Sequence, residues 1–510
     1  MSADVVVVGA GVAGLTAAIV ARRSGRSVIV LEKAPRTMRG GNTYFAGGGV
    51  RFAYDGFADI EQLVPDLPAE ERAALDVGAY PQSAYLDDLL RITKHDGDPL
   101  LAEILVGSSL QAMRWLREIG VRFKVAYHHS FKEGDTIHFA DGECLALAGG
   151  GPRLSDHLFD VAERDGIAVE YEMTARQLLR EGARVSGVLA RGAGGDVEVH
   201  CEAVVLASGG FEANPEMRAR HLGQGWAAAK VRGTQFNTGE GINMALDLGA
   251  VAYGQWDGAH AIPWEFSAPE FGDRAISGLF RDEIAVKFNR HGYPTGIMVN
   301  SEGRRFVDEG ADLRQFTFTR YGSEILAQPG GLAYQLFDQQ TVHDLRDENY
   351  RLTRATKAEA NSIEQLAALL SIDRDRLVAT VAEYNAACQP GDYHPERLDG
   401  VRTEGIDPPK SNWALPLDHP PYVGFVVTGG ITFTFGGLRI DGEGRVVGND
   451  GNAIPNLFAA GELVGGLFSH SYPSGAGLVA GVVFGSLAGK GASGESRGDR
   501  NLTAPTGGRL

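Results

Sequence analysis

The sequence predicts an α/β fold in which a second domain is inserted into the first. Two observations lead to this prediction. Residues 4–33 contain two apolar runs, VVVV and SVIVL, separated by a glycine turn and a stretch of small residues. Glycine-tipped apolar runs then return at residues 426–485, after a long segment of different character. A strand–helix–strand unit at the start and matching strands near the end are typical of one α/β domain that is discontinuous in sequence.

The first unit has the order strand, tight turn, helix, strand and acid. Gly9, Gly11 and Gly14 form G-x-G-x-x-G after the valine run, and Glu32 follows the second run. The first glycine makes the turn, the second lets the backbone approach a pyrophosphate, and the third lets the helix pack on the strand. The free N–H groups at the helix start attract phosphates. The unit therefore predicts a Rossmann-like dinucleotide-binding site with Glu32 at the ribose diol, whereas glycines alone would also fit a purely structural turn.

Composition limits the classes of partner. The chain has 510 residues, of which 44% are hydrophobic and 22% charged, and its net charge is −17. It contains no basic stripe with interleaved aromatic residues, so we do not expect it to bind nucleic acid. An acidic protein that binds an anionic substrate must concentrate positive charge locally. The three cysteines, Cys144, Cys201 and Cys388, have no metal-ligand spacing, so no metal site is predicted.

The same features predict where the protein is located. A sparse, odd number of cysteines argues against a disulfide framework and fits a reducing compartment. The first predicted strand begins so close to Met1 that no signal peptide fits before it. No apolar run reaches the length that crosses a membrane. We therefore expect a cytoplasmic protein without a membrane span.

The rest of the chain predicts the domain boundaries. A glycine loop at 39–52, helices within 82–122 and a strand ending in glycines at 209–210 continue the first domain. Residues 261–414 lack dinucleotide features and contain helices with apolar periodicity, such as EQLAALL, which predicts an inserted α+β cap domain. The prediction is a discontinuous domain over 1–260 and 415–490, a cap over 261–414, and a polar, disordered tail over 491–510.

Five segments resemble a known family. VVVVGAGVAGL, GGNTYFAGGG, AVVLASGGF, MVNSEGRRFVDE and LFAAGELVGG recur in the order found in the flavoprotein subunits of fumarate reductase and succinate dehydrogenase, and they span most of residues 4–487. The resemblance implies that the dinucleotide is FAD and that the first domain is its binding domain. The cofactor contacts that it implies, together with those of the glycine turn, are Gly9, Gly11, Ala13, Gly14, Glu32, Lys33, Gly40, Gly41, Asn42, Thr43, Gly48, Gly49, Ala175, Ser208, Gly209, Gly210, Gly461, Glu462, Gly477 and Leu478.

The resemblance also implies how the FAD is held. In that family the loop that matches residues 40–49 lies along the flavin, and members that bond FAD covalently carry a histidine where this chain has Asn42. An imidazole nitrogen can form such a bond, whereas a carboxamide is too poor a nucleophile. Non-covalent FAD is therefore expected, and the alternative is that 40–49 is only a surface loop.

Family members move a hydride between the flavin and one carbon, while a protein group handles the proton on the neighbouring carbon. His260, in WDGAHAIPW, matches a segment in which a histidine binds a substrate carboxylate, although a buried structural histidine is the alternative. Arg314 lies one residue further after RRFVDE than the proton-donating arginine of the family. An arginine needs desolvation and relay partners to give up a proton, and Asp308, Glu309 and Asp312 are candidates. The alternative is a surface cluster of ion pairs.

Two departures from the family change the expected substrate. A histidine pair of fumarate reductases is replaced by Thr432 and Phe433 in GITFTFGG, and a late substrate arginine is replaced by Tyr472 in SHSYPSGAG. Fumarate or succinate itself is therefore not expected. KVRGTQFNTGEGINMAL and YPSGAG look more like the tricarballylate dehydrogenase branch, which implies Arg232 as a replacement cation. Thr434 and His470 complete the expected substrate contacts.

Tyr472 also keeps a second possibility open. The YPSGAG element resembles 3-ketosteroid Δ1-dehydrogenases, in which a tyrosine polarises a ketone or takes a proton, although Tyr472 can also simply pack under the flavin. The leading prediction is an FAD-dependent enzyme that desaturates or reduces a C–C bond next to a carboxylate, with a tricarballylate-like polycarboxylate as substrate. The alternatives are ketosteroid-dehydrogenase-like or ene-reductase chemistry on a bulkier carbonyl compound, and a flavin-binding electron-transfer protein. No iron–sulfur or haem motif is visible, so electrons need an external donor or acceptor that the sequence does not identify.

Overall fold

A parallel sheet lies at the centre of the first domain. The computed structural model describes residues 1–127, 130–139, 142–272, 274, 288–345, 350 and 355–494. Val5–Val8 is an inner strand, paired in parallel with Val28–Leu31 on one side and Ala203–Leu206 on the other. The valines of the first strand are buried, as expected for a parallel strand covered on both faces. The strand–turn–helix–strand prediction is confirmed.

The outer strands of this sheet come from distant parts of the chain. Ala453–Ala459 pairs in parallel with Ala203–Leu206, and Arg445–Val447 closes that edge as an antiparallel strand. Ala168–Glu170 forms the opposite edge, beside Val28–Leu31. The sheet therefore needs residues from both sides of the insertion, which confirms that the first domain is discontinuous.

Two helices pack on each other over this sheet. Val12–Arg23 follows the glycine turn, and Ala476–Ala492 is the last described helix. Gly481, Gly485 and Gly489 form a stripe of the last helix that touches the first: a Cβ at Gly485 would lie 2.5 Å from the carbonyl oxygen of Ala13. The lack of side chains in this stripe allows the backbones to approach closely.

Three strands between Ala168–Glu170 and Ala203–Leu206 form a separate antiparallel sheet. Thr174–Glu181 pairs with Arg184–Gly192, which pairs with Gly195–His200. Short hairpin turns connect these strands, and hairpins cannot make the parallel pairings of the central sheet. The chain returns to the central sheet only at Ala203.

The cap is built on a second sheet of six strands. Its long strand Tyr422–Thr434 pairs with most of the others. The other strands are Lys230–Val231, Ala259–Glu265, Ile297–Val299, Leu332–Phe337 and Lys357–Ala360. The α+β character of the cap is confirmed, but its sheet extends beyond the predicted span of 261–414 on both sides. The predicted boundary at residue 261 falls inside the strand Ala259–Glu265.

The remaining helices lie around these two sheets. In the cap the helices are Arg314–Leu326, Ile363–Leu370 and Arg374–Ala387. In the first domain they are Phe57–Leu63, Ala69–Ala74, Gln82–Ile92, Pro99–Glu118, Gly150–Arg164, Pro215–His221 and Glu240–Asp247. The short strands are Gly49–Val50, Leu75–Asp76, Phe123–Val125, Ser130–Glu133, Thr136–Phe139, Leu145–Leu147, Ala252–Tyr253 and Gly437–Leu438.

Three further predictions concern the chain as a whole. The last helix ends at Ala492, two residues into the predicted tail of 491–510, and residues 495–510 lie outside the described residues. All three cysteines, Cys144, Cys201 and Cys388, are free thiols. Within the described ranges, no helix has both the length and the apolar character needed to cross a bilayer.

Candidate active site

A cavity of about 690 Å³ brings together most of the predicted site residues. Residues of the glycine turn line it, and so do Arg232, Arg314 and Tyr472. It lies where the strands Val5–Val8 and Ala203–Leu206 end, which is where α/β sheets bind ligands. The predicted cofactor residues that line it are Gly9, Gly11, Ala13, Glu32, Lys33, Gly41, Asn42, Thr43, Gly48, Gly49, Ala175, Ser208, Gly209, Gly461, Glu462, Gly477 and Leu478.

The three motif glycines have three different surroundings. Gly9 has a φ of +101°, in the left-handed region that the tight turn requires. A Cβ at Gly14 would overlap the carbonyl oxygen of Gly9, so Gly14 serves helix packing and does not line the cavity. A Cβ at Gly11 would meet nothing closer than the Thr43 hydroxyl at 3.6 Å. The space beside Gly11 therefore belongs to the cavity, which leaves room for a pyrophosphate.

Glu32 is held by the backbone on both of its oxygens. Oε2 accepts the N–H of Ala10 at 3.0 Å, and Oε1 accepts the N–H of Ala34 at 2.8 Å. Burial raises the pKa of this carboxyl group, and the two backbone hydrogen bonds oppose the rise. Each carboxylate oxygen can accept more than one hydrogen bond, so Glu32 keeps acceptor capacity for a ribose diol.

Besides Gly14, two further predicted cofactor glycines, Gly40 and Gly210, do not line the cavity, which corrects their assignment. A Cβ at Gly40 would overlap the Ser155 hydroxyl, and one at Gly210 would overlap the side chains of Glu462 and Thr434. These glycines make room for neighbouring protein groups. Sequence spacing identified the loops correctly, but it does not tell which glycine of a pair faces a ligand and which faces the protein.

Asn42 is fixed by three hydrogen bonds. Its Nδ2 donates to Glu212 Oε1 and to the Thr432 carbonyl, both at 2.7 Å. Its Oδ1 accepts the backbone N–H of Thr234 at 2.9 Å. The carboxamide lines the cavity with every hydrogen-bonding group engaged, and an amide nitrogen in this state has no nucleophilic character. Asn42 therefore fits a cofactor that is held without a covalent bond.

Aromatic side chains form the wall near Tyr472. The ring of Tyr472 lies 4.9 Å from that of Phe433 and 5.4 Å from that of Phe468, measured between centroids. All three rings, together with Phe318, line the cavity. Burial raises the pKa of Tyr472 to about 12, so its hydroxyl is protonated at neutral pH. Sequence reasoning identified Tyr472 but missed Phe318 and Phe468, which have no distinctive local motif.

His260 lies behind this wall, and the expectation that it binds a substrate carboxylate is corrected. It is fully buried, does not line the cavity, and its ring is 4.8 Å from that of Tyr472. Neither ring nitrogen has a hydrogen-bond partner among the described residues. Burial, with the nearby Arg232, lowers the pKa of His260 well below its usual value. A neutral imidazole packed against aromatic rings cannot act as a cation for an anionic substrate.

Arg232 is the cation that faces the cavity beside this wall. Its Nη1 donates to the Thr432 hydroxyl at 3.2 Å, whereas its buried Nε has no hydrogen-bond partner in the part of the chain that the structure describes. Its guanidinium lies 5.8 Å from the Trp264 ring, and no described carboxylate forms an ion pair with it. Burial lowers the pKa of this guanidinium. A desolvated cation without a carboxylate is costly, and an anionic or carbonyl oxygen in the cavity would offset that cost.

Arg314 has a partner that the sequence did not indicate. It is the first residue of the helix Arg314–Leu326, and its Nη1 lies 3.2 Å from His291 Nδ1. Since a guanidinium only donates, Nδ1 of His291 accepts. Both side chains line the cavity. His291 was missed because a single histidine in a loop carries no recognisable spacing.

The acidic residues expected to relay protons to Arg314 are engaged elsewhere, which corrects that expectation. Asp308 accepts hydrogen bonds from Ser411, Glu309 pairs with Arg305, and Asp312 pairs with Arg91. The predicted substrate contact at His470 is also corrected, because its ring bonds Asp96 at 2.5 Å and does not line the cavity. Thr434 does line it, as expected.

The fold and this cavity define a class: a dinucleotide-binding α/β protein whose cavity extends from the glycine turn to cationic and aromatic side chains of a cap. The family described as "FAD binding domain" matches residues 4–479, so the chain belongs to that family. Its cofactor is FAD. The members to which it is similar are oxidoreductases that act on carbon–carbon bonds, and the chain is an FAD-dependent oxidoreductase of this kind.

Two relatives illustrate the range of that family. The chain is 28% identical to a fumarate reductase (cytochrome) of Shewanella frigidimarina, covering 96% of this chain and 76% of the relative. It is equally 28% identical to a 3-oxosteroid 1-dehydrogenase of Mycobacterium tuberculosis, covering 95% of this chain and 97% of the relative. The chain spans 48% of a further relative, an NADH:fumarate oxidoreductase of Klebsiella pneumoniae.

A solved structure agrees with this assignment. An open conformation of a flavocytochrome c3 fumarate reductase superposes with a TM-score of 0.69 at 25% identity, covering 97% of this chain and 78% of that chain.

Proposed function

We propose that this oxidoreductase desaturates, or in reverse reduces, a C–C bond next to a carboxylate or carbonyl group. The proposal rests on the position of Arg232 at the cavity. Its guanidinium lines the cavity, and no carboxylate among the described residues pairs with it, so it can bind a substrate oxygen strongly, because its planar donors match carboxylate geometry. Bound FAD would supply the hydride acceptor or donor, and the glycine turn, Glu32 and Asn42 would hold it.

Two residues are suited to handle the proton on the neighbouring carbon. Arg314 lines the cavity, and its contact with His291 fixes the direction of the guanidinium. Tyr472 has a hydroxyl that stays protonated at neutral pH, since burial raises its pKa to about 12. A protonated phenol donates a hydrogen bond, so Tyr472 is better suited to polarise a carbonyl than to act as a base. We assign the proton transfer to Arg314 and the polarising contact to Tyr472.

A tricarballylate-like polycarboxylate remains the predicted substrate when charge alone is considered, since Arg232 and Arg314 can meet two carboxylates. The aromatic wall of Phe318, Phe433 and Phe468 favours a second candidate, a ring compound with one carbonyl and one carboxylate. The flat rings would pack on such a body, and a third carboxylate would be desolvated against them without a partner. Another relative, at 28% identity, is a 4-oxocyclohexanecarboxylate 2-dehydrogenase of Sinomonas cyclohexanicum, whose substrate combines these groups.

Anaerobic mixing tests both candidates. The holoprotein is mixed with tricarballylate, 4-oxocyclohexanecarboxylate, a 3-oxosteroid and succinate, and bleaching of the flavin absorbance reports reduction. Bleaching by one of the first three supports the proposal and identifies the substrate class. If none of the four compounds bleaches the flavin, but the reduced form of a redox dye reduces the flavin and the oxidised form reoxidises it, the protein is an electron-transfer flavoprotein and the proposal fails. The cytoplasmic location and the external electron partner stay predictions.

The role of Arg232 has its own test with a matched control. Arg232→Met removes the cation but keeps much of the side-chain length, and we expect a substrate Kd at least about tenfold weaker with the flavin still bound, as for the loss of one charged hydrogen bond. Arg439→Met makes the same change at an exposed arginine away from the cavity. Equal substrate affinity in the two variants would remove the basis of the proposal.

A further inference from the structure

Two carboxyl groups meet at the wall of the cavity, outside the substrate site. Glu212 is fully buried, Glu462 lines the cavity, and their side chains are hydrogen-bonded to each other. Two ionised carboxylates have no hydrogen with which to form such a bond, and their charges repel. The contact therefore requires one proton.

The neighbouring donors show where that proton lies. Oε1 of Glu212 accepts Asn42 Nδ2 at 2.7 Å and Asn237 Nδ2 at 2.6 Å. Oε1 of Glu462 accepts the N–H of Thr434 at 2.9 Å. Oε2 of Glu212 is buried and receives no N–H from any described residue. This oxygen is the one left to share a proton with Glu462.

No cation neutralises the pair within the described residues. Arg218, whose charge interacts with that of Glu212, donates to the backbone carbonyls of Glu212, Trp226 and Ala227, and it forms no ion pair with either carboxyl group. The other groups that face the pair, Asn42, Asn237 and Thr434, are neutral. Burial raises the pKa of both Glu212 and Glu462, and for Glu462 the charge of Glu212 raises it further.

The pair is connected to both parts of the cavity. Asn42, which Glu212 holds, lines the cavity and also donates to the carbonyl of Thr432 at 2.7 Å. The hydroxyl of Thr432 accepts the hydrogen bond from Arg232. One hydrogen-bonded chain therefore runs from Glu462 through Glu212, Asn42 and Thr432 to Arg232.

We propose that Glu212 and Glu462 share one proton and act as a neutral positioning pair, which holds Asn42 against the FAD and, through Thr432, holds Arg232 at the substrate. The part that concerns Arg232 rests on the proposed function; the part that concerns FAD does not. FAD in the cavity excludes water from Glu462, and this further desolvation favours the protonated pair. Ionisation of the pair therefore opposes FAD binding.

The test compares isosteric glutamine variants of the holoprotein. In Glu212→Gln, Oε1 can still accept from both asparagines while Nε2 supplies a fixed hydrogen to Glu462, so no titrating proton is needed. We expect wild-type FAD affinity to fall by at most about tenfold per pH unit above the pKa of the pair, the slope for one linked proton. Glu212→Gln and Glu462→Gln are expected to show a flat profile. Glu443→Gln, at a partly exposed residue that does not line the cavity, is expected to behave as wild type.

A second variant tests the positioning. Glu212→Leu removes the oxygen that accepts from both asparagines. We therefore expect FAD to dissociate more readily from this variant and its substrate KM to rise. In Glu212→Gln, we expect neither the FAD affinity nor the KM to change at neutral pH. The proposal is overturned if Glu212→Gln keeps the wild-type pH profile of FAD affinity, or if it loses FAD as Glu212→Leu does. If Glu212→Leu does not fold, the pH profiles of FAD affinity in the two glutamine variants still test the proposal. FAD affinity needs no turnover, so this outcome is separate from that of the proposed function.

Discussion

Arg314 and Tyr472 face one cavity from different parts of the chain, and their chemistry separates the two roles. Arg314→Lys keeps the positive charge but loses the planar fork and the contact with His291. We expect turnover and flavin reduction to fall by at least about a hundredfold, the usual contribution of a positioned proton-transfer group, with FAD still bound. Tyr472→Phe removes one hydroxyl and is expected mainly to weaken substrate binding.

Stopped-flow flavin reduction and steady-state turnover, measured on both variants, decide between these residues. Arg439→Lys serves as the control for a general effect of replacing an arginine, since Arg439 is exposed. If Arg314→Lys reduces the flavin at nearly the wild-type rate while Tyr472→Phe is inactive, the tyrosine handles the proton. The site would then be one in which a tyrosine activates a ketone substrate.

At the residue scale, the roles that could be predicted from the sequence are those that depend on the backbone alone, as for the motif glycines. The separate tasks of Gly9, Gly11 and Gly14 follow from the order of strand, turn and helix. The structure gives Gly9 a positive φ, packs Gly14 against the carbonyl oxygen of Gly9, and leaves open space beside Gly11. His260 and His470 were assigned wrongly because a motif gives the position of a residue but not the direction of its side chain. The pair of Glu212 and Glu462 joins residues 250 positions apart, and no local pattern indicates such a contact.

At the scale of one turn and helix, Gly11 separates cofactor binding from folding. Gly11→Val would project a side chain into the cavity, where the nearest described atom is the Thr43 hydroxyl at 3.6 Å. We expect loss of FAD with little change in the stability of the apoprotein. Gly14→Val, in the same turn, would collide with the carbonyl oxygen of Gly9, so the apoprotein itself should be destabilised.

For each variant, absorbance at the flavin maximum measures the FAD occupancy. The unfolding temperatures of the holoprotein and the apoprotein measure the stability. Full FAD occupancy in Gly11→Val would show that this turn does not hold the pyrophosphate.

The contact between the first and last helices allows a second prediction at this scale. In Gly485→Ala the added Cβ would lie 2.5 Å from the Ala13 carbonyl oxygen, and neither backbone can move without disturbing the sheet. We expect a loss of about 1–3 kcal/mol in the free energy of unfolding, the usual cost of overpacking. Gly194→Ala is the control, because that Cβ would meet nothing within 4 Å. Equal denaturant unfolding midpoints for the two variants would contradict the close helix contact.

Helices and strands of the first domain were predictable because they carry strong apolar patterns and glycine signals. The cap was less predictable in its extent. Tyr422–Thr434 is one strand of 13 residues that belongs to the cap sheet, although its last residues also line the cavity. Apolar periodicity identifies a strand, but the sheet to which it belongs depends on pairings with residues far away in the sequence.

For the whole molecule, the cofactor is expected to be part of the stability. FAD binds only the folded state, so it stabilises that state by about 2.7 kcal/mol when its free concentration is a hundred times its Kd. Because Asn42 forms no covalent bond, acid precipitation should release all of the FAD, and the apoprotein should unfold at a lower temperature. Flavin fluorescence that stays with the protein band on a denaturing gel would contradict this. Readdition of FAD should restore the higher unfolding temperature.

The arrangement of the central sheet has a consequence for biosynthesis. Its inner strand is Val5–Val8, but Ala453–Ala459 and the helix Ala476–Ala492 are needed to complete the same domain. A ribosome therefore releases the glycine turn long before the strand and helix that complete its surroundings. Through almost the whole of translation the nascent chain holds an unfinished nucleotide pocket, so flavin capture becomes a late event that follows synthesis of the cap.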